Sequence, residues 1–449
     1  MDYPSSPPFD QNDDWDAEES AADELPSDFD EPDDDVGAER PPRRVASLPG
    51  ESLYNRGVYF LLHRPGRYHN RMPSAARAIS ESAPDLNLVL SLGLPRIGTI
   101  KAQEYFEAFP GRTCAWRIAD PEGYAMPGDL IGEPPLTTMQ RTKVGYVNGV
   151  LHPGEPTPHD WNHQVINSQR AAGANILLTP GRSLDPGNPE AALAGAVNEL
   201  DDLLANVAEG EYAAWNLSMD STWLTDQRLR NQLLAELVDH EEVSTWHIRV
   251  RWPLIRRTYG QTLSRPLLMA YQELANLASR ENKVLLLPNS GPTGWLTLAW
   301  GASGFGAGSS SASQAWAITP RIAARPDTPR STVQRVFSVP LLHTITDRSH
   351  QALENGLLPA VYPRCDCEYC LEQAVSDVWR PELAAQHAAY SYGMLAAAVA
   401  RSTDRRAFVS MVAETAWERT HVIPPGLQLE AAETPEHLDV WSGIFEWES

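Results

Sequence analysis

From about residue 85 onward the chain repeats one unit: a short apolar run without strict alternation, a loop containing Gly, Pro or Asp, and then a helical pattern. A strand with one wet face alternates polar and apolar residues, whereas a parallel strand covered on both faces loses that period of two. The runs Asn87–Ser91, Cys114–Ala119, Asn175–Thr179, Tyr212–Leu217, Trp246–Val250, Val284–Pro288 and Gly304–Gly308 are of the second kind. Helices fit between them. At Asn188-Pro189-Glu190 a capping residue precedes proline at the first helical position and an acid in the first turn, and apolar residues then recur at three and four down to Val207. Segments 225–239 and 266–280 read the same way. Seven strands alternating with helices predict an α/β fold, a (β/α)8 TIM-type barrel with one strand not placed; a doubly wound open sheet is the alternative.

The rest of the chain frames this core. Sixteen of the 59 carboxylates fall in residues 1–39, which hold no Lys or Arg, so the remainder carries only −7 of the net −23. Residues 1–48 are too poor in aromatic and β-branched side chains to offset the entropy of ordering, and are expected to be a disordered acidic tail ending in Arg40, Arg43 and Arg44. Such a tail serves solubility, or competes with nucleic acid for a basic groove. The barrel is expected over 49–325, and a zinc-binding C-terminal subdomain with helices over 326–449. No apolar run is long enough to span a bilayer, which excludes a helical membrane protein and points to the cytoplasm.

Three of the four cysteines lie within six residues, in Arg364-Cys365-Asp366-Cys367-Glu368-Tyr369-Cys370. A disulfide framework would spread and pair them; a reducing compartment leaves such a cluster free for metal. Cys114 stands alone in an apolar run and reads as a small buried side chain. A Cys-x-Cys-x-x-Cys knuckle converges three thiolates on one Zn²⁺, and a tetrahedral structural site then needs a fourth ligand. His387, in the second turn of a helix opened by Arg380-Pro381-Glu382, is the leading candidate, ahead of His343 and His350. With four protein ligands no position is left for water, so the metal is expected to stabilise rather than catalyse.

The knuckle, together with Gln386-His387 followed by Tyr390 and Met394, resembles the tRNA-guanine transglycosylase family, zinc-containing barrels that exchange guanine for a 7-deazaguanine base within a polynucleotide. The approach to the last strand, from Val284–Pro288 through Trp295–Trp300 to Gly301-Ala302-Ser303-Gly304-Phe305, resembles the family's Gly-x-Asp-x-Phe-Asp region, and Asp120-Pro121-Glu122-Gly123-Tyr124 is similar to its Asp-Ser-Gly-x-Phe loop. The resemblance implies a pentosyltransferase acting on tRNA or DNA, with Asp120 as a general base toward the incoming base. It also implies an aspartate nucleophile at the position after Phe305, and that residue is Gly306.

Two readings therefore stand. Either another carboxylate serves, with Asp220 and Asp185 at strand ends as candidates, or the barrel is catalytically degenerate and binds nucleic acid, alone, as a homodimer or beside an active paralogue. A zinc-stabilised interaction module is a reading of another class. Asn216 and Ser218, at a strand end, are candidates to bind a purine edge, with Arg182 following another strand. The Ser-rich loop 308–314 is a candidate cradle for phosphate or sugar, and Arg249-Val250-Arg251-Trp252 through Arg256-Arg257 is a candidate single-strand contact.

Overall fold

Eight parallel strands close into a ring: β1 Tyr59–His63, β2 Asn87–Gly93, β3 Trp116–Asp120, β4 Ile176–Leu178, β5 Tyr212–Asp220, β6 Thr245–Pro253, β7 Val284–Leu287 and β8 Gly304–Ala307. Closure is direct, since β1 pairs with both β2 and β8, Leu61 lying level with Val89 on one side and Gly306 on the other. The computed structural model describes residues 57–65, 68–109, 116–125, 160–253, 255, 258–318, 334–374, 379–427, 429 and 433–446. The expected tail, the boundary between 325 and 326, Cys114 and Arg256-Arg257 lie outside the described residues.

The barrel is the expected fold, and the missing strand is β1. Its five residues, Tyr-Phe-Leu-Leu-His, are buried or nearly so on both faces, so the run carries no alternation, and the sequence before it has no helical pattern to mark a repeat. Strand β5 runs three residues beyond the expected Leu217 and β6 three beyond Val250, both at their carboxyl ends.

Two apolar cores share the strands. Phe60, Leu62, Leu88, Leu90, Trp215 and Leu217 face the surrounding helices, whereas Tyr59, Leu61, Val89, Ile118, Ile176, Leu178, Tyr212, Ala214, Val284 and Leu286 fill the barrel. Alternate residues of each strand thus point in, as the pleat requires. The outer ring includes α1 Met72–Ser82, α2 Thr99–Glu107, α3 Trp161–Ala171, α4 Pro189–Asn206, α5 Gln227–Asp239, α6 Arg265–Arg280 and α7 Gly291–Thr297. Helix α6 starts as its sequence predicts, Ser264 Oγ accepting from the Leu267 amide at 3.3 Å.

After the barrel come an antiparallel pair, β9 Arg335–Ser338 and β10 His343–Thr346, then α8 Asp347–Gly356, α9 Glu368–Gln373, α10 Pro381–Arg401, α11 Arg405–His421 and α12 His437–Glu446. Helix α10 packs along α1: Gln386 Nε2 donates to the Arg71 carbonyl at 3.4 Å, and Arg401 bonds Asp85 at 2.9 Å. Gly393 makes the approach possible, because a Cβ there would lie 2.8 Å from the Ile79 side chain. The C-terminal elements and the barrel belong to one compact unit. No helix among the described residues is long and apolar enough to cross a membrane.

Candidate metal centre and barrel mouth

The knuckle is local chemistry. Cys367 caps α9, its sulfur accepting from the Cys370 amide at 3.4 Å, so two thiols are fixed one turn apart. Helix α10 then brings His387 to them, with Nδ1 3.4 Å from Cys367 Sγ and 3.3 Å from Cys370 Sγ. The ligand atoms of Cys365, Cys367, Cys370 and His387 all lie within 4.8 Å of one another. A tetrahedron with metal–sulfur bonds of about 2.3 Å has edges of roughly 3.7 Å, so the four fit around a metal ion with small adjustment. His343 and His350 are elsewhere: His343 stacks on His437 with ring centroids 5.3 Å apart, and His350 Nδ1 meets the Tyr362 hydroxyl at 2.9 Å.

Two further observations favour a cation there. His387 Nε2 donates to the Phe337 carbonyl at 2.8 Å, so Nδ1 is the nitrogen turned to the sulfurs, which raise the ring to about 10, and a metal ion would take the place of the Nδ1 proton. Among protein groups alone the thiols split: hydrogen bonds from Cys367 and Cys370 drive Cys365 far down in pKa, while those from Cys365 and Cys367 drive Cys370 far up. Three sulfurs in one small volume cannot all ionise unless a cation joins them. Trp379, with its ring centroid 5.5 Å from that of His387, screens the cluster.

The second constellation is inside the barrel. Toward the carboxyl ends of the strands the inward positions turn from apolar to polar: His63 above Leu61, Ser91 above Val89, Asp120 above Ile118, Asn216 and Ser218 above Ala214, and His247, Arg249 and Arg251 on β6. This is the end of the barrel where chemistry is done in folds of this kind. Register aligns the groups, Asn216 with His247 and Ser218 with Arg249.

Asp120 is buried at the end of β3 and forms an ion pair with Arg249 across the mouth. Its other oxygen accepts the Glu122 amide at 2.8 Å. Burial pushes the Asp120 carboxyl up, but the Arg249 charge, His247 and the hydrogen bonds from the Glu122 amide and Arg249 together outweigh it and hold the group below the usual carboxylate range. Arg249 is itself boxed in, with its guanidinium 4.6 Å from the Tyr124 ring centre, 5.9 Å from that of Trp316 and 3.4 Å from Ser218 Oγ.

Asn216 and Ser218 are in the mouth as expected, and Asn216 acts on a neighbour. Its Nδ2 donates to the Thr179 carbonyl at 3.2 Å, leaving Oδ1 to accept from His247 Nδ1 at 2.8 Å. Burial and Arg249 lower His247 to about 3, so the ring is neutral, and its buried Nε2 lone pair has no hydrogen-bond partner among the described residues. Gly306 faces inward on β8, where an added Cβ would lie 3.1 Å from the Asn289 amide and 3.5 Å from Leu61 Cβ. The group opposite Asp120 is a guanidinium, and no carboxylate stands at 306.

The other candidates fall away from this point. Asp220 Oδ1 accepts from the Thr222 amide and hydroxyl at 3.0 and 2.7 Å, ordering the turn after β5, and Asp185 accepts the Gly187 amide at 2.8 Å. Arg182 and Asp185 line a cavity of about 460 Å³ against α4, with Glu199 in its wall and Asn216 where it meets the mouth. In the Ser-rich loop the Ser310 and Ser313 hydroxyls bond each other at 2.7 Å, which spends them on the turn itself. Arg249 and Arg251 are buried, so they belong to the mouth and not to a surface track.

Glu122, His247 and Arg249 as mouth residues were not expected from the sequence. The signal for two of them was present: Trp246-His247-Ile248-Arg249-Val250-Arg251-Trp252 alternates strictly, and in a helix-covered barrel the polar set of such a strand points inward. The chain matches no known protein-family profile and no curated protein sequence, so what these two sites do is argued from their geometry.

Proposed function

We propose that the barrel mouth exchanges a purine base on a nucleoside unit of tRNA or DNA, a transglycosylase-type reaction, while the Cys3His cluster holds Zn²⁺ as a structural ion. The observation that carries this reading is the buried, ionised Asp120 at the carboxyl end of β3, inside a ring of polar groups formed by Asn216, Ser218, His247 and Arg249. When the bond from the ribose anomeric carbon to the base nitrogen breaks, its electron pair leaves with the base and positive charge grows on the sugar. A carboxylate kept ionised beside that carbon stabilises the charge in a site closed to water. The neutral His247 Nε2 is an acceptor suited to an N–H on a purine edge.

Zinc is the metal of choice for three thiolates and one imidazole, and four protein ligands leave none for water. Zinc ligation by three thiols also fits a reducing compartment such as the cytoplasm. Gly306 favours a second reading, a barrel that binds the base and does not exchange it, because the resemblance places the covalent nucleophile there.

Incubating the purified chain with labelled guanine and either tRNA or duplex DNA tests the reading. Incorporation into one polymer, reduced at least about a hundredfold by Asp120→Asn, is the expected result. Tight binding without incorporation would favour the second reading, and neither binding nor incorporation would end both.

A further inference from the structure

We propose that Glu122 is the group that hands a proton to the departing base and takes one back from the incoming base; this rests on the base-exchange reading. Four features set its carboxyl apart. It follows the strand-end Asp120 by two residues, and its own amide is tied to Asp120 Oδ1 at 2.8 Å, so the two carboxyl groups move as one piece. It is buried, yet Oε2 has no hydrogen-bond partner among the described residues. Its backbone sits at φ 50°, a left-handed conformation that is strained for a non-glycine residue and that clusters at functional sites.

Space is also kept for it. A Cβ on Gly93, level with Asp120 across the β2–β3 pair, would lie 2.5 Å from Glu122 Oε1 and 2.8 Å from its carboxyl carbon. Any side chain at 93 would evict the group.

The partners of Oε1 suit a proton that comes and goes. Arg96 Nε donates to it at 2.7 Å from a half-exposed side chain, and the Tyr124 hydroxyl donates at 3.2 Å. The Tyr124 ring in turn lies under the Arg249 guanidinium that pairs with Asp120. Burial pushes the Glu122 carboxyl up, with the adjacent Asp120 charge adding to the effect and Arg96 opposing it, while Asp120 is pushed down. Two carboxyls driven apart in this way divide the labour of an acid and an anion.

The step balances. The bond between C1′ and the base nitrogen breaks, its electron pair goes to guanine, and guanine takes the Glu122 proton; the charge on the sugar faces the Asp120 carboxylate. The incoming base then bonds to C1′ through a ring nitrogen and returns that nitrogen's proton to Glu122.

The test compares wild type, Glu122→Gln and Glu122→Asn, the last because asparagine tolerates left-handed backbone. Two substrates are compared in a single-turnover assay that reads release of the original base: one with guanine at the target, one with 7-methylguanine, whose fixed positive charge lets it depart without a proton. Both variants are expected to lose at least about a hundredfold on guanine and to stay within about threefold of wild type on 7-methylguanine. Equal loss on both substrates, or no loss on guanine, overturns the assignment of Glu122 alone. No release of the original base by wild type from either substrate overturns the base-exchange reading and this inference with it.

Discussion

Arg249 and Asp120 hold opposite charges out of water, and removing one leaves the other stranded. Arg249→Met is expected to destabilise the protein by about 3–5 kcal/mol, and the double variant with Asp120→Asn to recover a large part of that, because a neutral pair no longer strands a charge. Urea unfolding of the four proteins checks the sign of the coupling. The glycines of β8 make a sharper comparison. An alanine at Gly304 would drive its Cβ to 2.6 Å from the Tyr59 carbonyl oxygen, deep in the barrel, whereas at Gly306 the nearest atom is 3.1 Å away. Gly304→Ala should therefore cost about 2 kcal/mol or more and Gly306→Ala about 1 or less, read from the same unfolding curves. Should Gly306→Ala prove the costlier, the inward geometry assigned to β8 is wrong.

At the scale of elements, α10 does two jobs: it packs on α1 and presents His387 to the knuckle. Chelation, or Cys367→Ser, is expected to abolish stoichiometric metal and to lower the melting temperature by several degrees or more, because ion binding is coupled to holding α9 against α10. Melting that chelation leaves unchanged would mean the helices dock without the ion. This centre was legible in the sequence because its three cysteines fall within six residues and its histidine follows a proline-opened helix. Strand β1 was not, since four apolar residues and a histidine between Gly57 and Pro65-Gly66 are too few to tell strand from helix by their period. The mouth was legible only in part. Asp120, Asn216 and Ser218 sit at strand ends that periodicity can find, but which residue of β3 meets which of β6 is fixed by closure of the whole ring. Glu122 was hidden for a local reason: a glutamate after proline on a loop looks solvated until the Gly93 notch that receives it is seen.

Across the molecule, burial has been extended to groups that resist charge. His247 in the mouth and His437 at the start of α12 are both buried and lowered to about 3, largely by desolvation. Each binds a proton in the unfolded chain below its ordinary value near 6.5 while staying neutral in the fold, so stability is full above that pH and falls between about 6.5 and 3 as acid favours the unfolded state. The slope is up to about 1.4 kcal/mol per pH unit for each ring. Replacing either with glutamine should flatten the acid limb of stability against pH; an unchanged limb would remove these rings from the explanation. The position of the ligand decides the larger matter, since a cavity of about 460 Å³ lies beside Arg182 and Glu199 and touches the polar end of the barrel at Asn216. Diffraction from crystals soaked in guanine is the most direct measurement. Density for the purine at the carboxyl ends of β3, β5 and β6, within hydrogen-bond reach of His247 Nε2, is the predicted result, and a purine seated against α4, with the mouth left empty, would contradict it.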